Sequence, residues 1–115
     1  MTILLILNTL AAIASTASAF AALARPGLMT RSTAPTTGER IYTVAYAARA
    51  VPFGIVTAIA PFVDRGVPTA LVLFAAAAAQ LVDIGIATRT RVTSMLAGAT
   101  VGAIVHLITA IAVLQ

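Results

Sequence analysis

VPTALVLFAAAAAQLVDIGIA, residues 67–87, decides the fold. At about 1.5 Å of rise per residue it just exceeds the ~20 residues that carry a helix across ~30 Å of hydrocarbon. Gln80 and Asp83 are its only strongly polar side chains. In lipid an open strand would leave its backbone groups unpaired, whereas a helix satisfies them internally. The stretch therefore reads as a transmembrane helix.

Apolar runs of the same kind occupy residues 3–24, 41–62 and 92–114, so only short connections remain. The chain has 115 residues, 61% of them hydrophobic and 9% charged. A soluble domain carries roughly 25% charged residues, so this chain could not cover a water-facing surface with polar groups. Its mean hydropathy of +1.08 points the same way. The expected fold is all-α, a four-helix transmembrane bundle forming one integral membrane domain over residues 1–115, with the lipid bilayer as its first partner. Ala17-Ser18-Ala19 has the look of a signal cleavage site. Against cleavage, no basic residue precedes the first run, which is also longer than a signal core, so that run is read as a span.

The composition also excludes several chemistries. There is no cysteine, hence no disulfide, thiolate metal site or thiol redox centre. One histidine and one intramembrane carboxylate cannot supply the three or four ligands of a metal site, so no metal is expected. Nucleotide-binding loops and serine triads are absent, and no cofactor is expected. The arginines are split among short connections, so there is no basic patch for nucleic acid.

Those arginines set the expected orientation. Arg25, Arg31 and Arg40 lie in the first connection and Arg89 and Arg91 in the third, while the second has Arg65 beside Asp64. The positive-inside rule then puts loops 25–40 and 88–91 in the cytoplasm and both termini outside, the membrane being the plasma (inner) membrane. Arg25-Pro26-Gly27 ends the first helix, and Thr36-x-x-Glu39 reads as a capping box for the second. Between them a solvated linker is expected.

Asn8, Arg49, Gln80, Asp83 and His106 are polar residues within the spans. A charge at mid-bilayer costs about 2.5–3.5 kcal/mol on insertion scales, so such groups face protein or water. Helical spacing aligns Asn8, Ala12, Ser15, Ala19 and Ala22 on the first span, and Tyr42, Ala45, Arg49, Pro52 and Val56 on the second. On the third it aligns Ala76, Gln80, Asp83 and Ala87, and on the fourth Ser94, Gly98, Gly102 and His106. These small-residue faces are expected to turn inward, since small residues let membrane helices approach. Ala75 to Ala79 reads as a packing surface for the same reason, and Gly98 and Gly102 offer close packing within the bundle or in a homodimer.

Depth divides the polar residues into two layers. Counted from Arg40 and Arg89, Arg49 and Gln80 lie roughly 13 Å deep and Asp83 roughly 9 Å, so Arg49 and Asp83 can pair. His106 lies roughly 22 Å from that side, level with Asn8. Tyr46 or water is a candidate bridge between the layers. Pro52 cannot donate a backbone hydrogen bond and so frees the carbonyl of Ala48, with Gly54 loosening the same turn. The plain alternative for Arg49 and Asp83 is an ion pair that only fastens two helices.

Ala24-Arg25-Pro26, Ala48-Arg49-Ala50 followed by Gly54, Leu81-Val82-Asp83 and His106 together resemble the DoxX-like group of small four-helix membrane proteins, over roughly residues 22–114. The resemblance implies a bundle with a polar interior and, for some relatives, membrane-associated small-molecule or redox chemistry. Ala50 stands where that group's pattern has an acidic residue, which puts in doubt any mechanism needing a second carboxylate there.

Three functions compete. In the first, the protein binds a lipophilic small molecule, or acts on it by isomerisation, cyclisation or epoxide opening, reactions that need only acid and base groups. Arg49, Asp83 and His106 would be its catalytic residues, and Asn8, Tyr46 and Gln80 would line the ligand site. The second is a small proton-coupled transporter subunit. Small multidrug resistance exporters have a similar size, but their essential carboxylate lies in the first helix, where this chain has Asn8. The third is an accessory subunit of a membrane complex.

Overall fold

A computed structural model describes all residues from Met1 to Gln115. Four long helices cross the molecule: α1 (Thr2–Ala24), α3 (Thr37–Val63), α4 (Val67–Thr90) and α5 (Thr93–Ala112). One short turn of helix, α2 (Gly27–Thr30), lies in the first connection. The four long helices meet the length and hydropathy of membrane spans. The chain is an all-α bundle and an integral membrane protein.

Local chemistry explains the boundaries. Ala24 is the last residue of α1, just before Arg25 and Pro26. Glu39 N–H donates to Thr36 Oγ1 at 3.2 Å and Thr36 N–H to Glu39 Oε2 at 2.6 Å, the reciprocal pair of a capping box. Arg91 ends α4 in the left-handed region with φ of 56°, and the chain turns at once into α5. The first connection is less solvated than expected. Its short helix tucks Met29 against the bundle, 6% exposed, because an apolar side chain gains by covering the open end.

The bundle is built from two antiparallel hairpins, α1 with α3 and α4 with α5. The hairpins meet chiefly along α1 and α5, while α3 and α4 touch more sparsely. At the end that carries the termini, Leu5, Ala70, Leu73, Ala110 and Val113 form a buried cluster. Large aliphatic side chains such as Ile3, Leu10, Ile41, Leu71 and Val101 point outward, as lipid requires.

The inward stripes of α1 and α4 are as spacing predicts. Asn8, Ala12, Ala19 and Ala22 are buried on one, and Ala76, Asp83 and Ala87 on the other. α3 differs. Thr43, Ala47, Thr57 and Pro61 face inward, whereas Ala45, Pro52 and Val56 are exposed and Arg49 sits on the flank. The helix is turned by about one residue, roughly 100° at 3.6 residues per turn, from the expected face.

Gly54 explains that rotation. A Cβ there would overlap Thr16 Oγ1 and press on the Ala12 carbonyl oxygen, so the glycine brings α3 directly against α1. Gly54→Val should therefore wedge the first hairpin open and destabilise the protein by about 1–3 kcal/mol, the usual cost of overpacking. Thermal unfolding of the detergent-extracted variant beside wild type measures it, and an unchanged midpoint would contradict the close approach.

Gly98 and Gly102, both expected in close packing, differ: Gly102 is buried against α4 and Gly98 is exposed. A Cβ on Gly102 would meet the Gln80 side chain at 3.1 Å, and one on Gly98 would meet nothing within 4 Å. Small residues here admit a side chain and an open space. Within Ala75 to Ala79, only Ala76 and Ala77 are buried.

Candidate functional site

The predicted polar residues converge, in two connected places. Near the Arg-rich end, Arg49 Nη2 donates to Asp83 Oδ1 at 3.0 Å, joining the sparsely packed α3 and α4. The Arg49 guanidinium also lies 5.6 Å from the centroid of the Tyr46 ring, a cation–π distance. The two partners differ in setting: the Asp83 side chain is 8% exposed and that of Arg49 44%. Asp83 Oδ2 makes no hydrogen bond within the protein.

Gln80 does not join that pair. Its Nε2 donates to Ser15 Oγ at 3.0 Å, crossing from α4 to α1. The sequence places Ser15 on the inward stripe but does not mark it as a site residue. Gly102 makes this reach possible, since it leaves room where the Gln80 carboxamide lies.

The second layer is where depth counting places it. Asn8 and His106 are both buried, and His106 Nδ1 lies 2.8 Å from Asn8 Oδ1. Asn8 Nδ2 donates to the Thr57 carbonyl oxygen at 3.0 Å. That carbonyl needs an outside donor because its intrahelical partner would be the N–H of residue 61, and residue 61 is proline. Pro61 thus creates the acceptor that fastens Asn8. Proline four residues after Thr57 was the readable signal for this link, and the expectation centred on Pro52 overlooks it. Pro52 itself is exposed.

The bond directions follow from these partners. A carbonyl only accepts, so Asn8 must turn its amide nitrogen to Thr57 and its oxygen to His106. His106 then donates through Nδ1–H, and Nε2 of the neutral ring carries the lone pair. Both polar atoms of the Asn8 side chain, expected to line a ligand site, are engaged within the protein by Thr57 and His106.

Free volume lies on both sides of Gln80 and Asp83. A cavity of about 30 Å³ is lined by Tyr46, Arg49, Thr57, Gln80, Asp83 and His106, among others. This space lies among Arg49, Asp83 and His106; it is too small for a lipophilic ligand and exceeds the roughly 10–15 Å³ that admits a water molecule. Larger spaces lie elsewhere, an apolar one of about 300 Å³ between α1 and α3 and a bigger one with polar groups in its wall. A cleft of about 540 Å³ runs between the Arg-rich halves of α1 and α5, with Ala14, Ser18, Ala97 and Gly98 in its walls and Met29 and Val92 at its end. Ser15, Tyr46, Gln80 and Asp83 line both spaces, whereas Arg49 and His106 line only the smaller.

The cleft has a packing cause. α1 and α5 are held together by the apolar cluster and the Asn8–His106 bond at one end, and Gln80 holds Ser15 farther along. Beyond that point the α1 wall consists of alanine and serine and the α5 wall mostly of alanine, glycine and serine with Met95 and Val101, too little bulk to fill the gap. The acidic and histidine side chains form no cluster of three that could hold a metal ion. No family model, curated protein or solved structure matches the chain.

Proposed function

We propose that the protein takes a lipophilic small molecule from the bilayer into the α1/α5 cleft and binds its polar end at Asp83, Gln80 and Tyr46, or acts on it there by acid–base chemistry. One observation carries this reading. A mostly apolar space within the ~300–1,000 Å³ range of ligand pockets ends on a few convergent polar groups. Among them is a carboxylate whose second oxygen has no partner in the protein.

In this reading Asp83 accepts a hydrogen bond or a proton from the ligand, and Gln80 and Tyr46 orient a carbonyl or hydroxyl. Arg49 holds Asp83 from the far side, so its role is to position the carboxylate. Isomerisation, cyclisation and epoxide opening are the reaction classes such groups can serve without a cofactor. The resemblance to DoxX-like proteins supports a bundle with a polar interior. The arginines of loops 25–40 and 88–91 support a plasma-membrane orientation with those loops in the cytoplasm.

The test uses the whole protein in lipid nanodiscs, with mass spectrometry of what it retains after washing. Gly98→Phe places a ring in the cleft at a position where an added Cβ has open space, so the fold should survive. Asp83→Asn removes the charged acceptor. Each variant is expected to lose about tenfold or more of the retained lipophile, as for the loss of a charge-assisted hydrogen bond. Identical retention by wild type and both variants would sink the proposal.

A further inference from the structure

We propose that the cavity of about 30 Å³ is a specific site for one water molecule, held between His106 Nε2 and Thr57 Oγ1, with Asn8 as the positioning residue that keeps His106 in its Nδ1–H tautomer. The size and the polar partners agree. A space of this kind admits a water once it reaches roughly 10–15 Å³, and an internal water needs two to four hydrogen-bonding groups around it.

Thr57 supplies the first observation. Threonines inside helices usually turn their hydroxyl back to the carbonyl four residues earlier, and Thr9, Thr16, Thr43, Thr88, Thr100 and Thr109 all do so here. Thr57 does not. It is 1% exposed, lines the cavity, and its Oγ1 has no partner within the protein. Burying a hydroxyl without a hydrogen-bond partner is unfavourable, so a partner in that space is favoured.

His106 supplies the second. Its Nδ1 is committed to Asn8 Oδ1, and the direction of that bond is dictated by the Pro61-freed carbonyl on the other side of Asn8. Nε2 therefore faces its surroundings as an acceptor, and His106 lines the same cavity as Thr57. A water there can donate to Nε2 and accept from or donate to Thr57 Oγ1. Gln80, Asp83 and Tyr46 close the other side, and these are the groups shared with the cleft.

The consequence for chemistry rests on the function proposed above. His106 does not line the cleft, so it reaches a cleft ligand only through this water. A proton that the ligand gives to Asp83 passes from that carboxyl to the water oxygen while the water gives one of its own to Nε2, which restores the carboxylate. No bond to carbon is made by His106, and no water is consumed.

Because His106 is the only histidine, histidine labelled with ¹⁵N reports this site alone. In ligand-free protein in nanodiscs, the Nδ1–H tautomer should exceed the Nε2–H form by about tenfold or more. The His106 ring should also show magnetisation transfer from a bound water. Thr57→Val keeps the side-chain shape and removes the hydroxyl. It should abolish the water contact and leave the tautomer unchanged. Asn8→Leu should shift the tautomer toward Nε2–H, and if that variant does not fold, wild type and Thr57→Val decide. An Nε2–H or doubly protonated ring in wild type would overturn the proposal, as would the lack of a water contact or a contact that survives in Thr57→Val. These readings need no ligand, so they stand or fall separately from lipophile retention.

Discussion

Arg49→Leu should destabilise the protein by roughly 2–3 kcal/mol, below the ~3–5 kcal/mol of a fully buried pair because the Arg49 side chain is 44% exposed and partly screened. The cost comes from the partner left behind. Asp83 is 8% exposed and has no other hydrogen-bond donor within the protein, so it must stay charged and unpaired or take up a proton. Asp83→Leu should cost only about 1 kcal/mol, since the arginine it strands is on the flank and can reach a headgroup. The double variant Arg49→Leu/Asp83→Leu should recover most of the loss, because an apolar pair needs no desolvation. Unfolding of all three in mixed micelles gives the comparison. If Asp83→Leu proved the costlier single change, the burial asymmetry would not be what governs the pair. Stability and function separate in this series: the double variant is expected to fold and to retain no lipophile.

Asn8→Leu has the second large expected effect, roughly 2–3 kcal/mol. It strands the Thr57 carbonyl and His106 Nδ1, and interhelical hydrogen bonds in membranes are worth about 0.6–2 kcal/mol each. The informative measurement is a double-mutant cycle with Pro61→Ala. An alanine at 61 has an N–H four residues after Thr57 and can restore the intrahelical bond that proline forbids. In that background the Thr57 carbonyl no longer depends on Asn8, so Asn8→Leu should cost about 1 kcal/mol less than in wild type. Additive effects would mean that Pro61 and Asn8 are not linked through that carbonyl. The Thr57 carbonyl is the hydrogen-bonding group both residues bear on, so coupling between them reports on that acceptor.

These two sites differ in how far they could be read from the residues. Arg49 with Asp83 and Asn8 with His106 are both legible as pairs, because depth along a helix is a fixed rise per residue and polar groups in lipid must find one another. What each pair does is less legible. Asn8 reads as a ligand contact until the Thr57 carbonyl is seen to claim its amide, and Gln80 reads as a member of the Arg49 layer until Gly102 is seen to steer it to Ser15. Thr57 and Pro61 carry no charge, so polarity does not mark them as site residues, although their four-residue spacing predicts a free carbonyl.

By itself the sequence determined the membrane as solvent, the four spans, the capping box and the two polar layers. All of these depend on local composition and on distance along one helix. Only the tertiary structure decided which face of α3 turns inward and on which side of Asp83 the ligand-sized space lies. The reason is the solvent. Lipid is as apolar as leucine, so hydrophobicity does not say how a membrane helix is rotated about its axis. That rotation is set by contacts such as Gly54 against Thr16, and the free volume is whatever the small side chains of α1 and α5 fail to fill.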